Sequence, residues 1–188
     1  MAFLFHKTEL DGVIVVEPKI FEDFRGVFIE TYKNSEFIAN GINVNFVQDN
    51  YSRSGKDVVR GLHFQTFPKQ QAKLVRCTKG KILDVTVDLR PKSKTFGKWF
   101  SIELSEENKK MLYIPHGFAH GFSVLSGEAD TCYKVSEEYS PTHDTGILWN
   151  DKELNIDWQV KNPIISEKDK NLQSLREYKV GISLQGVK

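Results

Sequence analysis

The chain has 188 residues and a mass of 21.6 kDa, which suits one domain spanning residues 1–188 with a core large enough to fold without disulfides. Its 26 Lys and Arg against 25 Asp and Glu give a formal charge of +1, so no overall field would attract nucleic acid or an anionic membrane. No basic and apolar leader begins the chain, and no apolar run approaches the ~20 residues of a membrane helix, which predicts a soluble cytoplasmic protein.

The first quarter of the chain predicts short strands and one helix. Residues 3–5 and 12–16 are apolar and predict strands, and a turn signature at residues 23–26 leads into a further strand at 27–32. Residues 34–40 predict a helix of about two turns, capped by Asn34 or Ser35 and ended by Gly41.

From residue 44 onward, strand follows strand. The predicted ranges are 44–52, 58–65, 72–77, 81–89, 99–104, 111–114, 118–125 and 131–135. Cys77 and Cys132 lie within two of them and predict free, buried thiols. Short strands separated by Gly and Pro turns predict an all-β antiparallel sandwich or barrel. After Trp149 the pattern predicts loop and short helix, with Ser166 beginning the last helical piece.

The strand at residues 58–65 carries two polar residues of opposite parity. Arg60 and His63 are an odd number of positions apart, so a regular strand would send them to opposite faces. Gly61 lies between them and is the residue type that permits a bulge. If both residues serve one site, Gly61 is predicted to bulge and to turn both side chains towards the barrel interior.

The five histidines invite a metal interpretation, but their spacing does not support it. Residues 115–120 have the Pro-x-Gly-x-x-His form of the second half of a cupin metal motif, whereas the His-x-His pair of the first half is missing around His63. We therefore predict no bound metal.

His63 is a candidate general base, because the unperturbed pKa of histidine is about 6.5. Such a base needs a carboxylate to orient it. Spacing alone leaves Asp84, Asp88, Asp144 and Asp169 all eligible, and on its own His63 is better explained as a hydrogen-bonded core histidine.

A series of motifs in order, between about Asp11 and Asp169, closely resembles the dTDP-4-dehydrorhamnose 3,5-epimerases. They are RGLHFQ at 60–65, KLVR at 73–76, DVTVDLR at 84–90, TFGKW at 95–99, IPHGFAHGF at 114–122, YK at 133–134, WND at 149–151 and SEKD at 166–169. The resemblance implies a cupin-type antiparallel β jelly roll with a few short helices and neither metal nor cofactor. It also implies a homodimer that exchanges strands and site residues.

The resemblance further implies a substrate and roles for four residues. In dTDP-4-dehydro-6-deoxy-D-glucose the C4 ketone acidifies the hydrogens at C3 and C5, so proton removal gives an enolate and reprotonation from the opposite face inverts the carbon. By resemblance His63 is the base, Asp169 its orienting carboxylate, Tyr133 the acid and Lys73 the enolate stabiliser. The residues alone permit plainer interpretations: a helix cap for Asp169, a core tyrosine for Tyr133 and a solvated strand lysine for Lys73.

The nucleotide must be held without a Gly-rich phosphate loop, since the chain carries no such sequence. Arg60 suits bidentate contacts to the diphosphate. The resemblance adds Tyr139, which would stack on the thymine base, and as further contacts Arg25, Glu30, Gln48, Asp49, Asn50, His120, Asp144 and Lys168. The family usually carries Glu at position 144, so the shorter Asp144 is a departure. Without the resemblance, Arg25, Glu30 and Lys168 would be ordinary surface charges.

Three other functions stay open at this point. A relative could invert only C3 or C5, or act on another nucleotide-activated 4-ketosugar, because small changes in a pocket redirect proton delivery without altering the fold. A catalytically silent sugar-nucleotide-binding cupin would keep the arginines but lose the base or acid. The remaining alternative is a metal-dependent cupin oxygenase.

Overall fold

A computed structural model describes residues 2–184, which form thirteen strands and three helices. The strands are β1 (Phe3–Lys7), β2 (Ile14–Pro18), β3 (Ile20–Asp23), β4 (Gly26–Ile29), β5 (Gln48–Gly55), β6 (Val59–Gln65), β7 (Lys73–Lys79), β8 (Lys81–Asp88), β9 (Trp99–Ser105), β10 (Met111–Ile114), β11 (Phe118–Val124), β12 (Glu128–Val135) and β13 (Asp144–Gly146). The helices are α1 (Asn34–Ala39), α2 (Glu167–Lys170) and α3 (Leu175–Leu184). In the part of the chain thus described, no helix is long and apolar enough to cross a membrane.

Two antiparallel sheets build the barrel. The six-stranded sheet has the order β1-β2-β10-β7-β12-β5, and the five-stranded sheet has the order β13-β6-β11-β8-β9. Strands β3 and β4 form a separate hairpin. The all-β antiparallel jelly roll with a few short helices is therefore confirmed. The single-domain prediction stays a prediction, and it includes Met1 and residues 185–188, which lie outside the described residues.

Three apolar clusters hold these layers. The first lies between the sheets, where Val75 and Leu112 of one sheet meet Ile82 and Phe122 of the other. The second lies behind the five-stranded sheet and the third on the outer face of the six-stranded sheet. Phe37 of α1 is fully buried in the third cluster, which stabilises the fold by about 2–3 kcal/mol for a side chain of this size.

Strand β8 keeps the period of two that its sequence predicts, yet both of its faces are buried. Its odd-numbered residues, such as Val85, pack in the second cluster, while Asp84, Thr86 and Asp88 are also 0% exposed. Asp88 is satisfied by donors from Arg90, Ser93 and Thr95. The polar face thus points into the barrel, where the candidate site lies.

Several predicted boundaries were wrong. The strand predicted at 44–52 begins only at Gln48, and the predictions missed β3 and β13. The N-cap of α1 is Lys33, without a side-chain hydrogen bond, rather than Asn34 or Ser35. Ser166 caps α2, but the last helix is α3, which begins nine residues later at Leu175. Its start carries a local signal that the predictions missed: Ser174 Oγ accepts the N–H of Glu177 at 3.2 Å, and Glu177 Oε2 accepts the N–H of Ser174 at 2.7 Å, which is a capping box. Asp151, a residue distant in sequence, accepts the N–H of Leu175.

Candidate active site

The bulge in β6 turns Arg60 and His63 to the same side. Pairing with β11 passes from His63 opposite His120 to Arg60 opposite Phe122, so three steps along β6 match two along β11. Gly61 lies in this interval with φ +118, and a Cβ there would lie 2.5 Å from the Cα of Gly121. Since residues directly opposite each other share a face, the predicted bulge is confirmed. Arg60 is solvent-exposed, its Nε donates to Ser54 Oγ of β5 at 2.9 Å, and it is not among the residues that line the cavity beside His63.

His63 is paired with a buried carboxylate. Its Nε2 lies 2.7 Å from Oδ1 of Asp169, and Asp169 Oδ2 accepts the N–H of Gly61 at 3.1 Å. Ser166 Oγ caps α2 by accepting the N–H of Asp169, so the cap is made by Ser166 and the carboxylate is left to bind His63. When Nε2 donates to Asp169, Nδ1 keeps a lone pair that can accept a proton.

Burial alone would raise the pKa of Asp169. The hydrogen bond and charge of His63 and the N–H of Gly61 together outweigh burial, and the pKa of Asp169 is lowered. The carboxylate is therefore ionised near neutral pH and can stabilise an imidazolium on His63.

A cavity of about 360 Å³ opens beside His63. It gathers residues from both sheets, from the loops at their ends and from α2: Gln48, Asn50, His63, Phe64, Gln65, Gln71, Lys73, Tyr133, Tyr139, Asp144 and Lys168. Most of the predicted site residues therefore meet here. The predictions gave no role to Phe64, Gln65 and Gln71; Gln65 accepts the N–H of Ser140 at 2.7 Å and so fixes the wall of the cavity.

Lys73 and Tyr133 face the cavity from neighbouring strands β7 and β12. Lys73 is 8% exposed, and its Nζ donates to the carbonyl of His63 at 3.4 Å. Burial lowers the pKa of Lys73 to about 8, against the opposing charges of Asp144 and Asp84. Burial also raises the pKa of Tyr133, although the charge of Arg60 lowers it somewhat. Tyr133 is thus protonated at neutral pH and can act as an acid.

Three residues form a polar cluster at the mouth of the cavity. Asp144 Oδ2 accepts from Tyr139 Oη at 3.1 Å and from Lys168 Nζ. Burial lowers the pKa of Lys168, but the hydrogen bond to Asp144 outweighs it and the pKa is raised. Gln48 Oε1 accepts the backbone N–H of Tyr139 at 2.9 Å and holds its ring at the mouth.

His120 lies opposite His63 in the ladder and is buried. Its Nε2 is 2.8 Å from Oδ2 of Asp84. Burial lowers the pKa of His120, and the charge of Asp84 opposes this effect. His120 therefore supports the site from beneath and is not among the residues that line the cavity.

The structure does not bring Arg25, Glu30 or Asp49 to the cavity of the same chain. Arg25 lies at the turn between β3 and β4, where it pairs with Asp23 at 2.6 Å. Asp49 precedes Asn50 on β5, so its side chain lies on the other face of that strand, where it pairs with Lys134 at 2.9 Å. Among residues 2–184, no three His, Cys, Asp or Glu side chains converge as metal ligands.

Comparisons with known proteins point in one direction. A family model described as dTDP-4-dehydrorhamnose 3,5-epimerase matches residues 7–177. A protein of that name from Shigella flexneri is 54% identical over 168 residues, 89% of this chain and 93% of the relative. The crystal structure of dTDP-6-deoxy-D-glucose-3,5-epimerase from Legionella pneumophila, in complex with dTDP-4-keto-L-rhamnose, is 43% identical with a TM-score of 0.90 and covers 93% of both chains. A dTDP-4-dehydrorhamnose 3-epimerase from Streptomyces niveus is 38% identical over 169 residues, 89% of this chain and 82% of the relative.

Proposed function

The chain belongs to the dTDP-4-dehydrorhamnose 3,5-epimerase family, and from this premise we propose that it converts dTDP-4-dehydro-6-deoxy-D-glucose to dTDP-4-dehydro-L-rhamnose. The observation that carries the proposal is the cavity in which the paired base His63 meets Lys73 and Tyr133. Those are the three functions that inversion beside a ketone requires: a base, a cation near the ketone oxygen and an acid.

The reaction begins with proton abstraction. The C4 ketone acidifies the hydrogens on C3 and C5, and Nδ1 of His63 takes one of them. Asp169 fixes the imidazole through Nε2 and stabilises the imidazolium that forms. Because the resulting enolate carries its charge on the C4 oxygen, the buried ammonium of Lys73 acts where that charge develops.

Tyr133 completes the inversion. It returns a proton to the carbon from the side of the sugar opposite His63, and its raised pKa keeps it protonated until the enolate forms. The same groups then act at the second carbon, so the ketosugar loses and regains one proton at each centre.

The remaining contacts hold the nucleotide. Arg60 suits the diphosphate, and Tyr139 suits stacking on the base beside Asp144 and Lys168. Gln48 and Asn50 contribute from β5, and His120 supports the sugar end. Each of these roles is proposed from the place of the side chain and from the family pattern.

We also propose a homodimer, because Arg25, Glu30 and Asp49 lie outside the cavity of their own chain. The hairpin of β3 and β4 exposes Phe24 and Phe28 at 98% and 66%, together with the Arg25 side chain at 77%. Such an apolar patch is typical of an interface. A partner's hairpin would add Arg25 and Glu30 to the nucleotide end of the site. The cytoplasmic location stays a prediction.

A second candidate is a single-centre epimerase. The observation that favours it is the 38% identical relative named as a dTDP-4-dehydrorhamnose 3-epimerase, which shows that close relatives differ in the number of centres they invert. Tyr133 supplies an acid within the cavity, which inversion of one centre and inversion of two centres both require.

The test is deuterium incorporation from D₂O into the dTDP-ketosugar, followed by NMR. We expect deuterium at both C3 and C5 and the L-rhamno product. Exchange at one carbon would establish the single-centre candidate, and exchange at neither would overturn both. His63→Asn should abolish exchange, whereas His116→Asn is the matched control, because His116 binds Ser136 Oγ away from the cavity.

A further inference from the structure

Two buried hydroxyl groups lie inside the barrel without a hydrogen-bond partner among residues 2–184. They are Oγ of Ser52 on β5 and Oγ1 of Thr131 on β12. The two residues are directly opposite each other in the β5–β12 ladder, and Thr131 is 0% exposed. Side chains in such a pair have Cβ atoms about 4.5–5.5 Å apart, so both hydroxyls face one small space.

These hydroxyls continue the polar lining of the cavity. On the same faces of the two strands, the neighbouring pair towards the cavity is Tyr133 opposite Asn50, and both of those residues line the cavity. The next pair is Ala129 opposite Ser54, and Ser54 Oγ accepts from Nε of the exposed Arg60 at 2.9 Å. A polar path therefore leads from Tyr133 through Thr131 and Ser52 to the solvent side of Arg60.

An unpaired buried hydroxyl is destabilising by roughly 1–3 kcal/mol, so two facing each other require an explanation. Valine has nearly the shape of threonine and would fill position 131 without that penalty, in a strand whose inner-face neighbour Ala129 is apolar. A buried water needs two to four polar partners, and Thr131, Ser52 and the adjacent polar side chains supply them.

Under the proposed function, on which this step rests, Tyr133 must be reprotonated within one turnover. At the first carbon, His63 gains the proton of the C–H bond and Tyr133 loses its O–H proton to the carbon, which leaves an imidazolium and a phenolate. Before the second carbon can be inverted, solvent must supply one proton to the phenolate and accept one proton from His63, with no net change. Tyr133 is half-buried, and a bound sugar would cover its cavity side.

We propose that Thr131 and Ser52 hold a water molecule that relays a proton from solvent, which enters beside Arg60, to the Tyr133 phenolate between the two inversions. Both residues act through this water and through Tyr133, so they are positioning residues. The first inversion of a turnover starts from protonated Tyr133 and does not need the relay, whereas the second does.

The test is a single-turnover experiment in D₂O with the full chain, in which NMR follows deuterium at each carbon and any singly inverted sugar. For Thr131→Val combined with Ser52→Ala we expect the first inversion to stay within twofold of wild type. The second should slow at least tenfold, with accumulation of the singly inverted dTDP-sugar. Thr131→Ser should retain the second inversion. Thr78→Val is the control, since Thr78 Oγ1 donates to the Asp130 carbonyl away from the cavity.

Equal slowing of both inversions, or no slowing of either, would overturn the relay while leaving the epimerase function standing. A wild-type protein without exchange at either carbon would instead overturn the proposed function. If the double variant does not fold, a crystal structure of the wild type at atomic resolution decides, because a water within hydrogen-bond distance of both hydroxyls is expected and its absence would refute the relay.

Discussion

Lys73 is held where a lysine is unfavourable. Its ammonium is buried and its hydrogen bond to the His63 carbonyl is long, at 3.4 Å. Burial lowers its pKa from the ordinary 10.5 to about 8. At ~1.4 kcal/mol per pKa unit, the charged form is destabilised by about 3 kcal/mol in the folded protein. A cation kept in such a place is consistent with a role in stabilising the enolate rather than the fold.

Replacing this lysine should therefore separate stability from activity. We expect Lys73→Met to raise the free energy of unfolding at pH 7 by about 1–3 kcal/mol and to lower kcat at least a hundredfold. Urea denaturation and steady-state kinetics measure the two effects. Lys79→Met is the control, because Lys79 lies on the same strand, pairs with the exposed Glu128 and should change neither quantity much. Loss of stability in Lys73→Met would contradict the conclusion that burial of the Lys73 ammonium destabilises the folded protein.

The pH dependence of this effect has a defined sign. The folded pKa of Lys73 is below the unfolded one, so the unfolded chain binds more protons between pH about 8 and 10.5. The stability contribution of Lys73 in the wild type thus rises across that window, and the advantage of Lys73→Met shrinks there. Activity should instead fall as pH rises through about 8, because the ammonium is lost.

At the scale of the element, the bulge of β6 turns Arg60 and His63, which are an odd number of positions apart, to the same face of the strand. A Cβ on Gly61 would meet the Cα of Gly121 at 2.5 Å and the carbonyl of His120 at 2.8 Å, and both are backbone atoms that cannot move aside. Gly61 also has φ +118, where side chains are strained. Steric fit and backbone conformation both require glycine.

Two control glycines separate those effects. We expect Gly61→Ala to lose more than ~3 kcal/mol of unfolding free energy, and Gly41→Ala, at φ +88 in open space, to lose about 1–2 kcal/mol from strain alone. Gly127→Ala has neither a contact nor a positive φ and should be nearly neutral. Chemical denaturation of the three variants provides the comparison. Equal losses for Gly61→Ala and Gly41→Ala would show that the close approach to β11 does not matter.

The elements differ in how far the sequence could predict them. Strict alternation predicts β8. The parity of Arg60 and His63 with an intervening glycine predicted the bulge only on the condition that both residues serve one site, and the family resemblance supplied that condition. β13 is three residues long and has no apolar pattern, so its pairing with β6 is visible only in the fold. Likewise, Ser166 and Asp169 predict a helix start, but not that the carboxylate turns to His63, 106 residues away in sequence.

At the scale of the whole molecule, the cavity of one chain is short of the residues expected at the nucleotide end. The hairpin of β3 and β4 extends its apolar side chains and Arg25 outward, and no pattern in a single sequence tells which surface a second copy would cover. The family resemblance predicts a shared site. The geometry is in accord with it, because Arg25 is exposed and, among residues 2–184, donates only to Asp23, two residues away in the same chain. A site shared between subunits can be tested by mixing two variants.

If each site takes His63 from one chain and Arg25 from the other, two inactive variants can restore each other. In a dimer of one His63→Asn and one Arg25→Ala subunit, one site receives both changes and the other receives neither. Random mixing in equal amounts should therefore recover about one quarter of the wild-type activity. The matched control mixes His63→Asn with Asp169→Asn, whose residues are in contact within one chain and so cannot complement. Recovery confined to the first mixture would support the shared site, because within a single chain neither pair of variants can rebuild an intact site.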